Sequence, residues 1–211
     1  MIFGVDVASY QGEPDWEAVH GDGIKFAFSK VTEGTGYTNP TWGHNRDKMA
    51  ALGDDFLPGT YHFLHGGDGA DQARYFLDKA GDVSDLAVAL DVEASGADAA
   101  TARDWVSEFK DRTDGHPVFG YFPRWYWNQT GSPDLGFFDT IWQSHYVNGS
   151  GSPESLYEKV KDSWWTEFGG EPISILQFSS SGTVEGISGR CDVNAYRESL
   201  ADLKALALGR S

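Results

Sequence analysis

The stretch Leu86-Ala87-Val88-Ala89-Leu90-Asp91-Val92-Glu93 decides how this chain is read. Its opening apolar run, without polar alternation, describes a strand buried on both faces, the usual state in a parallel sheet. The run then ends in two carboxylates separated by one residue. Residues i and i+2 of a strand point to the same side, with Cα atoms roughly 6.6–6.8 Å apart. Asp91 and Glu93 are therefore expected to look into one cavity where the strand runs out. Placing two acids at the mouth of an apolar strand costs stability through desolvation and repulsion. A substrate that needs one carboxyl protonated and another ionised would justify that cost. By itself the pattern also fits a strand fraying into solvent, so the rest of the chain has to decide.

Working outward, apolar strands that end near an acid recur. Ile2-Phe3-Gly4-Val5-Asp6-Val7 carries Asp6, and the strand from Lys25 to Val31 is followed by Glu33. Pro58 to Phe63 holds Tyr61, while Pro117–Phe122, Thr140–Tyr146 and Ile173–Phe178 bring Tyr121, Trp142, Tyr146 and Gln177. Cys191-Asp192-Val193 reads as a last short strand, before a closing helix from Asn194 to about Leu206. Between the strands, helices are expected over Pro14–Val19, Asn39–Leu52, Ala70–Ala80 and Asp98–Arg112. Ser155–Phe168 reads either as a helix or as an irregular loop.

Seven or eight strands alternating with helices or long loops point to an α/β fold, a parallel TIM-like βα barrel, as one domain over residues 1–211. Barrels of this kind place catalytic side chains at the C-terminal ends of their strands. Asp6, Glu33, Asp91, Glu93 and Asp192 all take that address in this reading, with Tyr61, Tyr121, Trp142, Tyr146 and Gln177 at or near it. Five acids converging on one rim are harder to dismiss than any pair.

Composition narrows the partners. A hydrophobic content of 40% and an aromatic share of 14% support a packed core, and exposed aromatic rings also suit sugar-binding clefts. The formal charge of −16 argues against nucleic acid and anionic membrane surfaces. A single Cys191 excludes an intrachain disulfide, and no apolar run approaches membrane-spanning length. Met1-Ile2-Phe3-Gly4 enters a strand without a basic segment, so no signal peptide is read in this chain.

Those residues carry a resemblance. Gly4-Val5-Asp6-Val7-Ala8-Ser9-Tyr10-Gln11-Gly12 with Asp15-Trp16 resembles the opening of glycoside hydrolase family 25, the lysozymes that cut the β-1,4 bond between N-acetylmuramic acid and N-acetylglucosamine. The likeness continues through Phe26 to Gly34, Gly59-Thr60-Tyr61-His62-Phe63, Leu90-Asp91-Val92-Glu93, Gln177 to Gly182, Gly186-Ile187-Ser188-Gly189 and Asp192-Val193-Asn194. From Gly120 to Phe168 the chain follows the family only loosely. The resemblance implies an irregular barrel, retention of configuration, and no metal or other cofactor. It implies Glu93 as proton donor, Asp91 as second carboxylate, and Asp6 and Asp192 as flanking acids. Glu33, Tyr61, Gln177, Tyr121, Trp142 and Tyr146 are expected to bind substrate. It favours attack on C1 by the substrate's 2-acetamido oxygen, with direct attack by Asp91 still open. The implied partner is bacterial peptidoglycan, met by a monomer acting outside the cell or at its wall. The chain reads as a phage endolysin type or an excised catalytic domain.

Two rival readings remain at this point. The rim acids are oxygen ligands suited to Mg²⁺ or Ca²⁺, which would make a metal-dependent phosphodiesterase on a similar barrel. A catalytically silent glycan-binding module is the other. His62 and His65 stand at i and i+3 without a further Cys/His set, a poor basis for zinc. Gly66-Gly67-Asp68-Gly69 lacks the lysine of a phosphate loop.

Overall fold

Strand alternation sets the architecture. The computed structural model describes residues 1–210. Its order is β1 (Ile2–Val7), α1 (Trp16–Gly21), β2 (Ile24–Glu33), β3 (Tyr37–Thr38), α2 (Trp42–Ala50), β4 (Leu57–Phe63), α3 (Gly69–Ala80) and β5 (Ala87–Asp91). There follow α4 (Ala99–Arg112), β6 (Val118–Tyr121), α5 (Arg124–Gln129), β7 (Thr140–Ser144), α6 (Pro153–Tyr157), β8 (Ile173–Gly182), β9 (Cys191–Tyr196) and α7 (Leu200–Leu208). The strands run β1-β9-β8-β7-β6-β5-β4-β2, and a β1–β2 pairing closes the ring into an eight-stranded barrel. The two-residue β3 folds back antiparallel on the end of β2.

Each strand divides its side chains between two cores. Phe26, Phe28, Ala87, Ala89, Phe119, Tyr121, Trp142 and Ile175 fill the barrel interior. The alternate positions, including Val88, Leu90, Val118, Ile141 and Leu176, pack outward against the helices. All five residues of β5 are buried, as its unbroken apolar run requires. Gly4 is needed inside: a Cβ there would sit 2.3 Å from the Phe26 ring that fills the barrel floor. Outside, His62 stacks on Trp105, and Trp105 on Phe109, joining β4 to α4.

The wholly parallel barrel needs correction at one place. β9 is antiparallel to both β1 and β8. No crossover helix separates β8 from β9, and a strand that returns by a loop has to run the opposite way. The closing helix also begins later than expected. Asn194, Ala195 and Tyr196 continue β9, and Ser199 caps α7 by accepting from the Asp202 amide. The segment from 155 to 168 is chiefly irregular, with the end of α6 and a 3₁₀ turn at Asp162–Trp165. The sequence reading assigned no element to Arg124–Gln129, which forms α5.

Candidate active site

The interior phase of each strand, followed to the rim, builds the site. On β5 the inward positions are 87 and 89, so the next two are 91 and 93. Asp91 is the last residue of the strand, and Glu93 lies two residues beyond it. The pairing persists past the strand end, because the Val92 amide donates to Tyr121 O and the Leu64 amide to Asp91 O. Both acids therefore keep the strand's phase, as the i, i+2 argument requires. They line one cavity of about 180 Å³ together with Asp6, Asp192, Tyr61, Tyr121, Trp142, Tyr146 and Gln177.

Asp192 reaches this rim by a different route from the others. It stands near the start of β9, not at a C-terminal strand end. Because β9 runs backwards, its start lies at the mouth, opposite Asp6 in the β1 ladder. Glu33 is the one expected acid outside the cavity wall. Its two oxygens hold Lys30 Nζ at 3.1 Å and His65 Nε2 at 3.0 Å. Trp142 is buried as part of the barrel interior: its ring stacks on Phe28 at 4.6 Å and its indole N–H donates to Asn194. It is therefore a wall of the cavity, not an exposed platform.

A hydrogen-bond network fixes the polar side chains. Tyr121 and Tyr146 both donate their hydroxyls to Gln177 Oε1, at 2.9 and 2.7 Å. Gln177 Nε2 and Asn194 Nδ2 each donate to Asp6 Oδ2 at 2.8 Å. Asp91 Oδ1 is buried without a hydrogen-bond partner among the described residues.

The electrostatics follow from burial first and like charge second. Burial lifts Asp6 to about 6, against the hydrogen bonds from Asn194 and Gln177 that favour its anion. Burial, then the charges of Asp6 and Glu93, lifts Asp192 to about 8. Burial and then Glu93 push Asp91 well above the carboxylate range. Glu93 is raised by burial first and by Asp6 next. Desolvation outranks mutual repulsion for every acid of the four. Lys30 opposes the rise of both Asp91 and Glu93. A cavity with four raised acids holds protons near neutral pH and can donate one.

Sequence reasoning passed over three residues here. Lys30 and Phe63 line the cavity, and Asn194 anchors Asp6. Lys30 was visible in principle, because Phe26, Phe28 and Lys30 share one phase of an apolar strand. Asn194 was hidden by its assignment to the closing helix. His62 takes no part: it is buried between Thr32 and Gln72, and burial holds it down at about 3.

A closed α/β barrel with paired acids at its mouth defines a barrel enzyme built for carboxylate acid–base chemistry. The model for glycosyl hydrolases family 25 matches residues 5–187. The N,O-diacetylmuramidase of Chalaropsis sp is 32% identical over 222 residues, covering 99% of this chain and all of that protein. Lysozyme M1 of Streptomyces globisporus is 29% identical, covering 98% of this chain and 71% of its own length. Among solved structures, the bacterial lysozyme from Streptomyces coelicolor superposes with a TM-score of 0.77 at 28% identity, covering 100% of this chain and 98% of that one. The chain belongs to family 25 of the glycosyl hydrolases. It is a glycoside hydrolase of the lysozyme type.

Proposed function

We propose that residues 1–211 form one catalytic domain that cleaves the β-1,4 bond between N-acetylmuramic acid and N-acetylglucosamine with retention, Glu93 acting as general acid. The observation that carries this reading is the position of Glu93, which lines both the acid cavity and a larger groove of about 610 Å³ beside it. A sugar chain lying in the groove meets a raised carboxyl at the point where the cavity can take in one ring.

The chemistry is the following. Glu93 gives its proton to the glycosidic oxygen as the bond from C1 to that oxygen breaks. The 2-acetamido oxygen of the same sugar forms its bond to C1, and the positive charge passes to an oxazolinium ring. Asp91, which lines the same cavity, faces that charge. Water then attacks C1 from the vacated side and gives a proton to the Glu93 carboxylate, as the C1–O bond of the oxazolinium ring breaks and its electron pair restores the neutral acetamido group. Two inversions give net retention. Asp6 is held as an acceptor by Gln177 and Asn194, and above about pH 6 its carboxylate turns a negative charge toward a cationic transition state. Tyr61, Tyr121, Tyr146 and Trp142 shape the sugar-binding wall, and Gln177 sets the tyrosine hydroxyls.

Digestion of purified peptidoglycan tests this. The new reducing ends should all be muramic acid, and Glu93→Gln should lower turnover by ~10²–10⁴-fold. Near-normal lysis by that variant would overturn the assignment. An acid-quenched reaction should carry no sugar on the protein, whereas a stoichiometric ester on Asp91 would mean direct attack.

A further inference from the structure

The groove beside Glu93 is walled by the part of the chain that departs most from the family pattern. α5 begins at Arg124, directly after Pro123, and its start is tied down at two points. The Arg124 amide donates to Gln143 Oε1 at 2.9 Å, and Tyr126 donates its hydroxyl to the carbonyls of Ala94 and Ala97 at 2.6 Å. Ala94 follows Glu93 directly, so the α5 wall and the catalytic loop are fixed to each other. Arg124, Trp125, His145 and Tyr146 then line the groove that Glu93 enters.

Arg124 stands out in a chain of net charge −16. Its guanidinium donates to the Thr166 carbonyl and lies over the Phe168 ring at 4.4 Å. Those contacts hold the side chain in place but leave its charge unanswered. Burial alone pulls its pKa down, with no carboxylate opposing it among the described residues. Among the described residues, nine of the sixteen Lys and Arg side chains lie within ion-pair distance of an acid, and Arg124 is one of the seven that do not. Arg124 and Lys161 both act on His145, which is held below its usual range first by burial and then by their charges. Beside Arg124, Trp125 is 55% exposed and offers an apolar face in the same groove. A stiffened, half-desolvated guanidinium without an internal partner is a prepared carboxylate receptor.

We infer that Arg124 is a specificity-determining residue that binds a carboxylate of the wall substrate, in the groove adjoining Glu93. The carboxylate is either that of the lactyl ether on muramic acid or one belonging to a stem peptide. This inference rests on the muramidase reading above and adds the feature that separates wall glycan from an uncharged N-acetylglucosamine polymer. It also offsets the repulsion that the acid cavity exerts on an anionic substrate.

The test compares three substrates: peptide-bearing glycan, glycan freed of peptide, and an N-acetylglucosamine oligomer. Arg124→Gln should lower the preference for the carboxylate-bearing substrate, measured as a ratio of kcat/KM values against the neutral oligomer, by about tenfold, mainly through KM. Loss of preference on peptide-bearing glycan alone assigns the stem carboxylate, loss on peptide-free glycan alone assigns the lactyl group, which is a carboxylate only where no peptide is attached, and loss on both means that Arg124 takes either. Arg124→Lys should restore part of the preference, since it keeps the charge but not the fork. A ratio that stays within twofold, or equal losses on all three substrates, would overturn the inference. Binding of the soluble disaccharide with and without its stem peptide, measured by calorimetry in the Glu93→Gln background, provides a readout that needs no cleavage. A Kd weakened about tenfold by Arg124→Gln sustains the inference even if the bond cut is another one. An unchanged Kd for both ligands overturns it even if muramidase activity is confirmed.

Discussion

Replacing Asp6 by Asn should stabilise the protein, and only above a definite pH. The side chain is 8% exposed and its carboxyl is lifted from 3.8 to about 6. Below the lower value the group is protonated in the folded and unfolded states alike, and its burial costs nothing through ionisation. Between the two values the unfolded chain releases the proton while the folded one keeps it. Stability therefore falls as pH rises through that window, and levels off above about 6. At ~1.36 kcal/mol per pH unit, the loss amounts to about 3 kcal/mol. Asn cannot ionise, and its amide oxygen can still accept from Gln177 and Asn194. The variant should thus match the wild type near pH ~3 and exceed it by up to about 3 kcal/mol near pH ~7.5. For a chain of this size that corresponds to a Tm higher by roughly 6–12 °C at the neutral pH. Thermal unfolding followed by near-ultraviolet dichroism at the two pH values measures it. A stability difference that is the same at both would refute the claim that burial strains Asp6. The gain should come with a loss of activity. Asp6 also raises Glu93 and Asp192, so the alkaline limb of any residual activity should move to lower pH.

Three further outcomes follow from the same geometry. Lys30→Met removes the cation that opposes the rise of Asp91 and Glu93, so the alkaline limb of the pH–rate profile should move upward; a downward shift or none would separate Lys30 from the acids. Gly69→Ala would bring a Cβ to 2.1 Å from the Thr101 carbonyl where α3 meets α4, and should destabilise by roughly 1–3 kcal/mol in urea unfolding. With a charge of −16, the protein should degrade whole anionic walls faster as salt rises from about 10 to 150 mM, because the Debye length shrinks from ~30 to ~8 Å. A steady fall over that range would place the cations around Arg124 and Lys161 in command of wall encounter.

How far the sequence alone reaches can be seen residue by residue. The apolar run of β5 was sufficient to place Asp91 and Glu93 in one cavity. Strand alternation is a local property of the backbone, and it persists one step past the strand end. Asp6, Tyr121 and Gln177 were legible for the same reason, each standing in the inward phase of an apolar strand. Tertiary structure decided the remainder. Asp192 joins the acids because β9 runs antiparallel, a direction set by what β9 pairs with and not by its own residues. Asn194 changes from helix to strand because ladders on both sides claim it, outweighing local helical patterning. Glu33 turns from the cavity to Lys30 and His65, and Trp142 is buried inside the barrel. Both outcomes depend on neighbours brought from other strands. The dominance of burial over repulsion in raising the acids is also tertiary in origin. Desolvation depends on how completely the closed barrel excludes water, and no spacing along the chain records that.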